Sequence, residues 1–313
     1  MHALRVLLRL LYHLVVVFAS QHEAARTVDD FLHQDPPQVA GNILATLCRT
    51  FAESLPLVAT RIYLTGRIAA EHDGRVLLDE RDLPGRQGRL AFVYLVAHRH
   101  RPTRRDDLMD VLWGDSPPQE FEVTFSSVLS RLRGLLRKAA LADATIDVEH
   151  GSISLRLPRD TWVDLEAAAN AIDLCEGALR RGDRGPAWGH ANVAIVIARR
   201  PFLSGEEAPW IEGWRAKLTA TLVRALHGLI TISAANGEPA VAIQHAEEIL
   251  EVEPYRETAY QELMRLHAAM GNRAEALRVF ARCRNRLRSE LGTTPSPETE
   301  GVWRVIDTKA GGH

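Results

Sequence analysis

Apolar residues along this chain follow three rhythms in turn. In residues 1–60 they recur at helical spacing, most clearly in NILATLCRTFAESLPLVA, and predict two or three helices joined by the polar stretch HQDPPQ. At residue 61 the rhythm changes to short alternating runs, with Asp73-Gly74 between two of them, the composition of a tight β-hairpin. Three helices are expected next. The first, GRQGRLAFVYLVAHRH, has an apolar stripe at Leu90, Val93, Tyr94 and Ala97, and Pro102 is expected to end it. The second, RRDDLMDVLWG, places Asp106 and Asp107 in its first turn and Gly114 after its last. Beyond the turn DSPP, the third runs from about Phe121 to Ala140. ATIDVEHGSISLRLP then alternates around a bend at His150-Gly151, a second hairpin. From Trp162 onward only helices are expected, broken by Gly, Asn and Pro. The order predicts two domains, mainly α with small β, with a boundary near PRDTWVD.

The helical part carries a period. GEPAVAIQHAEEILEVEP starts at Gly237 and GNRAEALRVFARCRNRLR at Gly271, an offset of 34 residues, which is the tetratricopeptide length. Ala242 and Ala276 lie five residues after their glycines, where paired antiparallel helices approach most closely, and Ala246 and Phe280 lie nine after. A weaker copy begins at Gly182, with Ala187, Ala191 and Ala194 at related offsets, and RPFLSGEEAPWIEGWRAKL separates it from the second unit. Each helix pair leaves an apolar face for a neighbour to bury. The expectation for residues 161–310 is therefore an all-α, tetratricopeptide-like repeat domain. Gly271 should occupy a tight turn, and Ala276 a helix contact.

Charge and cysteine narrow the chemistry. The 313 residues have a formal net charge of −2, so composition gives no support to nucleic-acid binding and any such case must come from local placement. Cys48, Cys175 and Cys283 are far apart and lack metal-ligand spacing; they read as reduced structural thiols of a cytoplasmic protein. The N-terminal MHALRVLLRLLYHLVVVFAS has the charged and apolar regions of a signal peptide, but Arg9 and His13 interrupt it, and an amphipathic packing helix is the expected form. No other segment reads as apolar enough to cross a membrane. The sequence has no GxxxxGK[ST], HExxH or GxSxG, and the pairs Asp106/Asp107, Glu206/Glu207 and Glu247/Glu248 read as caps and solvated faces. No catalytic residue, cofactor or metal is expected, and the chain is not read as an enzyme. Trp210 and Trp214 in the insert read as core aromatics or as the lining of a groove.

Several separated stretches, in order, resemble a known class. GRQGRLAFVYLVAHRHRPTRRDDLMDVLWGDSPP and FSSVLSRLRGLLRK resemble a winged helix-turn-helix of the OmpR/PhoB type and its recognition helix. ARRPFLSGEEAPWIEGWR and ILEVEPYRETAYQELMRLHAAMGNRAEALRVFARCRNRLRSELGTTPSPET resemble the bacterial transcriptional activator domain (BTAD). The pairing is similar to regulators of the SARP/AfsR-like class. It implies a winged-helix reader over 61–160 that binds double-stranded DNA, and an activator domain that contacts RNA polymerase. Residues 1–60 lie outside the resemblance, as a helical extension of unknown role or an upstream start.

The resemblance makes residues 121–140 the reading helix. Phe121, Phe125, Val128, Leu129, Leu132 and Leu136 should bury, leaving Val123, Thr124, Ser127, Ser130, Arg131 and Gly134 outward. Short side chains let a helix lie deep in a major groove, so Thr124 and Ser127 are the candidates for base edges or a thymine methyl, and Ser130 is a further DNA-binding candidate on the same face. Arg131, Arg133 and Arg137, with Arg156 from the second hairpin, are candidates for phosphates. Residues 61–160 hold 16 Lys/Arg against 15 Asp/Glu, a weak field, so tight binding would need a homodimer, a partner or adjacent half-sites. The hairpin tip reads Glu149-His150-Gly151, where a basic residue and an aromatic are usual. A repeat scaffold for protein partners, with a degenerate winged helix, is the competing reading. The basic run HRHRPTRR is either a further backbone contact or a solvated turn.

Overall fold

A computed structural model describes residues 60–139 and 144–308. The readings of residues 1–59, including the N-terminal apolar run and Cys48, lie outside the described residues. In chain order the elements are β1 (Thr60–Tyr63), β2 (Ala69–His72), β3 (Arg75–Asp79), α1 (Gly85–Ala97), β4 (Thr103–Arg104), α2 (Arg105–Trp113), α3 (Phe121–Lys138), β5 (Thr145–Glu149), β6 (Ser152–Arg156) and β7 (Trp162–Val163). Helices follow: α4 (Asp164–Arg181), α5 (Arg184–Ala198), α6 (Pro209–Ala235), α7 (Pro239–Val252), α8 (Glu257–Ala269), α9 (Arg273–Leu291) and α10 (Pro297–Thr308). This is the expected mainly α chain with small β, a winged helix-turn-helix followed by helical repeats. The chain divides into two compact units, one reaching Asn170 and taking in Val196–Leu218, the other comprising Ala171–Ile195 and Thr219 onward.

In the first unit, both predicted hairpins turn on two residues of positive φ, Asp73-Gly74 and His150-Gly151. Two consecutive positive φ values match the right-handed twist of the flanking strands. One sheet has the order β3-β2-β1-β7, with β7 parallel to β1, and the other has the order β4-β6-β5. β7 corrects the expectation that no strand follows Trp162. It is only two residues long and is paired by a strand a hundred residues earlier, so no local alternation announces it. β4 pairs with β6 and ties the start of α2 to the wing.

The apolar stripe expected on α1 is also too narrow. Leu90, Ala91, Phe92, Val93, Leu95 and Val96 are all buried, while Tyr94 and Ala97 are half-buried. α1 is a central helix covered on most sides, which periodicity alone understates. It ends at Ala97, before Pro102, where the His98 amide donates to the carbonyl of Tyr94. Leu108 and Leu112 of α2, Phe125, Leu129, Leu132 and Leu136 of α3, and Ile146, Ile153 and Leu155 of the wing complete this core.

In the second unit, three helix hairpins close with the same turn. Gly182, Gly237 and Gly271 have φ of 81°, 75° and 78°, a left-handed conformation that costs a residue with a Cβ about 1–2 kcal/mol. After each glycine, the next amide reaches back five residues: Asp183 to Ala178, Glu238 to Ser233, and Asn272 to His267, at 2.8–2.9 Å. Each thereby satisfies a carbonyl left open at a helix end. Ala187, Ala191, Ala194, Ala242, Ala246 and Ala276 are fully buried, as their spacing predicted, and Phe280 is nearly so. Cys175 and Cys283 are buried too, and burial pushes their thiols up to about 11 and about 12. Among the described residues α6 alone is long and apolar enough to cross a membrane by length and composition, against the expectation of none beyond the N-terminal run. More than half of that stretch is buried, with Leu222, Val223, Leu226, Leu229 and Ile230 packed inward as in a core helix.

Candidate nucleic-acid interface

α3 is positioned by its apolar side. Phe125, Val128, Leu129, Leu132 and Leu136 are buried, with the Phe125 ring 6.4 Å from Trp113 of α2, and Phe121 is half-buried. The opposite side exposes Val123, Ser126, Ser130, Arg131, Arg137 and Lys138. Thr124, Ser127, Arg133 and Gly134 are half-buried. Thr124 stands at the edge of the exposed arc and Ser126 nearer its middle, so Ser126 is the face residue that the sequence reading missed. Its position four residues before Ser130 was the available signal. From Val123 to Ala139 the helix carries four cations and no anion. This is a local positive end in a nearly neutral domain.

The candidate cations differ in freedom. Arg131 donates from Nε and Nη2 to Ser127 Oγ, at 3.2 and 2.9 Å, so these two candidates act as a coupled pair. Arg133 donates from Nε to the Ile146 carbonyl at 2.9 Å, which fastens α3 to β5. Arg156 pairs with Asp147 across the wing at 2.9 Å. Arg137 and Lys138 have no carboxylate partner among the described residues. Arg105 engages Glu122 and lies 4.8 Å from the centre of the Phe125 ring, while its amide donates to Gly151 at the wing tip.

The basic run HRHRPTRR is largely committed within the chain. Arg99 makes a two-pronged contact with Glu166 and reaches the Thr161 carbonyl, His100 meets Glu166 at 2.8 Å, and Arg104 stands 3.7 Å from Asp106. His100, Arg101, Pro102 and Arg104 are exposed, which fits the solvated-turn reading, while Arg99 is largely buried against Glu166.

Glu206 departs furthest from its expected role. It is no solvated acid: its side chain is 7% exposed and receives Arg86 and Arg89 of α1 at 2.5–2.8 Å. Arg215 holds the surrounding loop through the carbonyls of Phe202, Leu203 and Glu206. Trp210 packs edge-on to Tyr94 at 5.2 Å, and Trp214 lies 6.0 Å from His98, so both insert tryptophans join the aromatic side of α1. Burial lowers the His98 imidazole pKa, and Nδ1 bonds to the Tyr94 carbonyl. Asp164 is fully buried and accepts from the amides of Leu64 and Thr65 and the Thr65 hydroxyl at 2.7–2.9 Å. Burial pushes its carboxyl up, and these bonds pull it back.

Residues 163–306, which span α4 to α10, match the family described as "Bacterial transcriptional activator domain". Within that span the segment Val196–Leu218, with Glu206, packs in the unit that holds α1–α3. The chain is similar to regulatory protein AfsR of Streptomyces coelicolor, at 27% identity over 248 residues, 79% of this chain and 24% of AfsR. It is also similar to transcriptional regulatory protein EmbR of Mycobacterium tuberculosis, at 26% over 216 residues, 67% of this chain and 54% of EmbR. It thus spans about a quarter of AfsR and about half of EmbR. The solved structure of EmbR in complex with a low affinity phosphopeptide shares the fold, with a TM-score of 0.70 at 23% identity over 80% of this chain and 65% of that one.

Proposed function

We propose that this chain is a sequence-specific, DNA-binding transcriptional regulator, an activator, that lays α3 in the major groove. The observation that carries the reading is the exposed face of α3, lined with short polar side chains and ending in Arg137 and Lys138. A face of this kind admits base edges in its middle and phosphates at its flanks. Ser127 and Ser130, with Ser126, face the bases, and Thr124 reaches them from the edge of the arc. Arg131 and Arg137 take phosphates; Arg133 does so with the nitrogens it does not spend on Ile146, and Arg156 from the wing once it leaves Asp147. The reader is residues 61–160, supported by Val196–Leu218, and the activator domain contacts RNA polymerase. The family match and the similarity to AfsR and EmbR support the reading, which makes the protein a cytoplasmic non-enzyme.

Near-neutral charge makes single-site binding weak, so a homodimer or adjacent half-sites supply the rest. The experiment is selection of duplexes from a random pool by the full chain, followed by binding across a salt range. A recurring sequence, bound with an affinity that falls with salt, is expected. Absence of salt-dependent duplex binding would leave the repeat scaffold as the better account.

A further inference from the structure

The reading face of α3 is polar except at one position. Val123, in the first turn, is 66% exposed, the most exposed large apolar side chain among the described residues. One exposed valine is ordinary on a protein surface. What surrounds this one is not. Positions 123, 126, 127, 130, 134 and 137 share one side of the helix; from Val123 to Gly134 that side carries only three serines and the glycine, and Arg137 stands at its far end. No atom lies within 4 Å of where a Gly134 Cβ would stand. At the N-terminal end of that line Val123 is followed by serines alone, so its methyls project beyond Ser126; the long side chains, Arg131 against Ser127 and Arg137, come in later turns. The adjacent acid, Glu122, is drawn to Arg105, which weakens its repulsion of a phosphate-lined groove. First-turn residues are those that a groove-inserted helix carries to base edges. In the major groove, only thymine offers a methyl group.

We infer, resting on the DNA reading above, that Val123 recognises one thymine through its 5-methyl group and thereby fixes one A·T pair in each bound site. The test begins with a duplex selected by the full chain. Each thymine in turn is replaced by deoxyuridine, which deletes the methyl and leaves every hydrogen-bonding group in place. One replacement is expected to weaken wild-type binding about fourfold, the worth of one buried methyl. Val123→Ala should bind the thymine and uracil forms of that position equally, and Val123→Thr, which keeps a methyl, should retain the preference. If no replacement matters, or if one matters equally in wild type and Val123→Ala, while salt-dependent duplex binding persists, the thymine contact is wrong and the DNA reading stands. If wild type binds no duplex at any salt concentration, both fall together.

Discussion

In the unit of Ala171–Ile195 and Thr219 onward, three helix hairpins close with the same glycine turn and bury alanines at matching places. The unit that carries α1–α3 is fastened instead by polar groups far apart in sequence, two of them, Asp164 and Glu206, buried. Asp164 holds the amides of Leu64 and Thr65, Glu206 holds Arg86 and Arg89, and Glu166 holds Arg99. The first strategy spreads stability over many small contacts, each costing little to lose. The second concentrates it in a few groups whose removal leaves buried donors or charges unmatched. Single substitutions should therefore hurt the reader unit more than the repeats.

The largest expected effect is at Asp164. Asp164→Ala strands three donors contributed by Leu64 and Thr65, two of them backbone amides that cannot turn away. A loss of about 3 kcal/mol or more is expected, read as a lower urea midpoint at constant slope. A loss below about 1 kcal/mol would mean that water replaces the carboxylate, and that stability is not concentrated in this group. Glu206→Gln comes next. It keeps the shape and removes the charge that two arginines share. Because Arg86 is half exposed and partly hydrated, the cost should be about 1–3 kcal/mol rather than the full penalty of a dry pair. Glu206→Gln combined with Arg89→Ala should cost less than the sum of the two single changes.

In the repeats, Ala276→Leu overpacks a fully buried contact and should cost about 1–3 kcal/mol. Gly271→Ala forces a Cβ into the left-handed region and should cost about 1–2 kcal/mol. Gly271→Asn should cost less, because asparagine tolerates that conformation. Equal losses for alanine and asparagine would show that the turn relaxes out of it, which would undo the argument for one repeated device.

The same contrast explains what could be read from the chain in advance. The 34-residue offset of Gly237 and Gly271, the alanines five residues on, and the Asp73-Gly74 and His150-Gly151 turns are local rules, and each appears in the structure where spacing placed it. The apolar side of α3 was legible for the same reason. Glu206 and β7 were not, because their partners lie about a hundred residues away and nothing periodic marks them. Glu206 looked like any acid beside another acid. On α3, spacing located the exposed arc but not the state of its arginines, which depends on carbonyls and hydroxyls that other folded elements bring near.

Those arginines give the smallest and sharpest prediction. Arg131 and Arg133 are two residues apart and would both be read as phosphate ligands. Arg131 leans on the Ser127 hydroxyl of its own helix, an exposed contact worth little to stability. Arg133 donates to the Ile146 carbonyl of β5 and so holds the wing against α3. Arg133→Ala should cost about 0.5–1.5 kcal/mol of stability, the worth of one such bond, whereas Arg131→Ala should leave the melting temperature unchanged. On DNA the order reverses. Arg131→Ala should lower the salt slope by about one unit, and by freeing Ser127 it should also alter preference at one base pair. Arg133→Ala should weaken binding with a smaller change in slope, because one edge of its guanidinium is already taken by the wing. Equal salt slopes for the two variants would mean that Arg133 leaves Ile146 when DNA arrives, and that the wing is held by the duplex rather than by the protein.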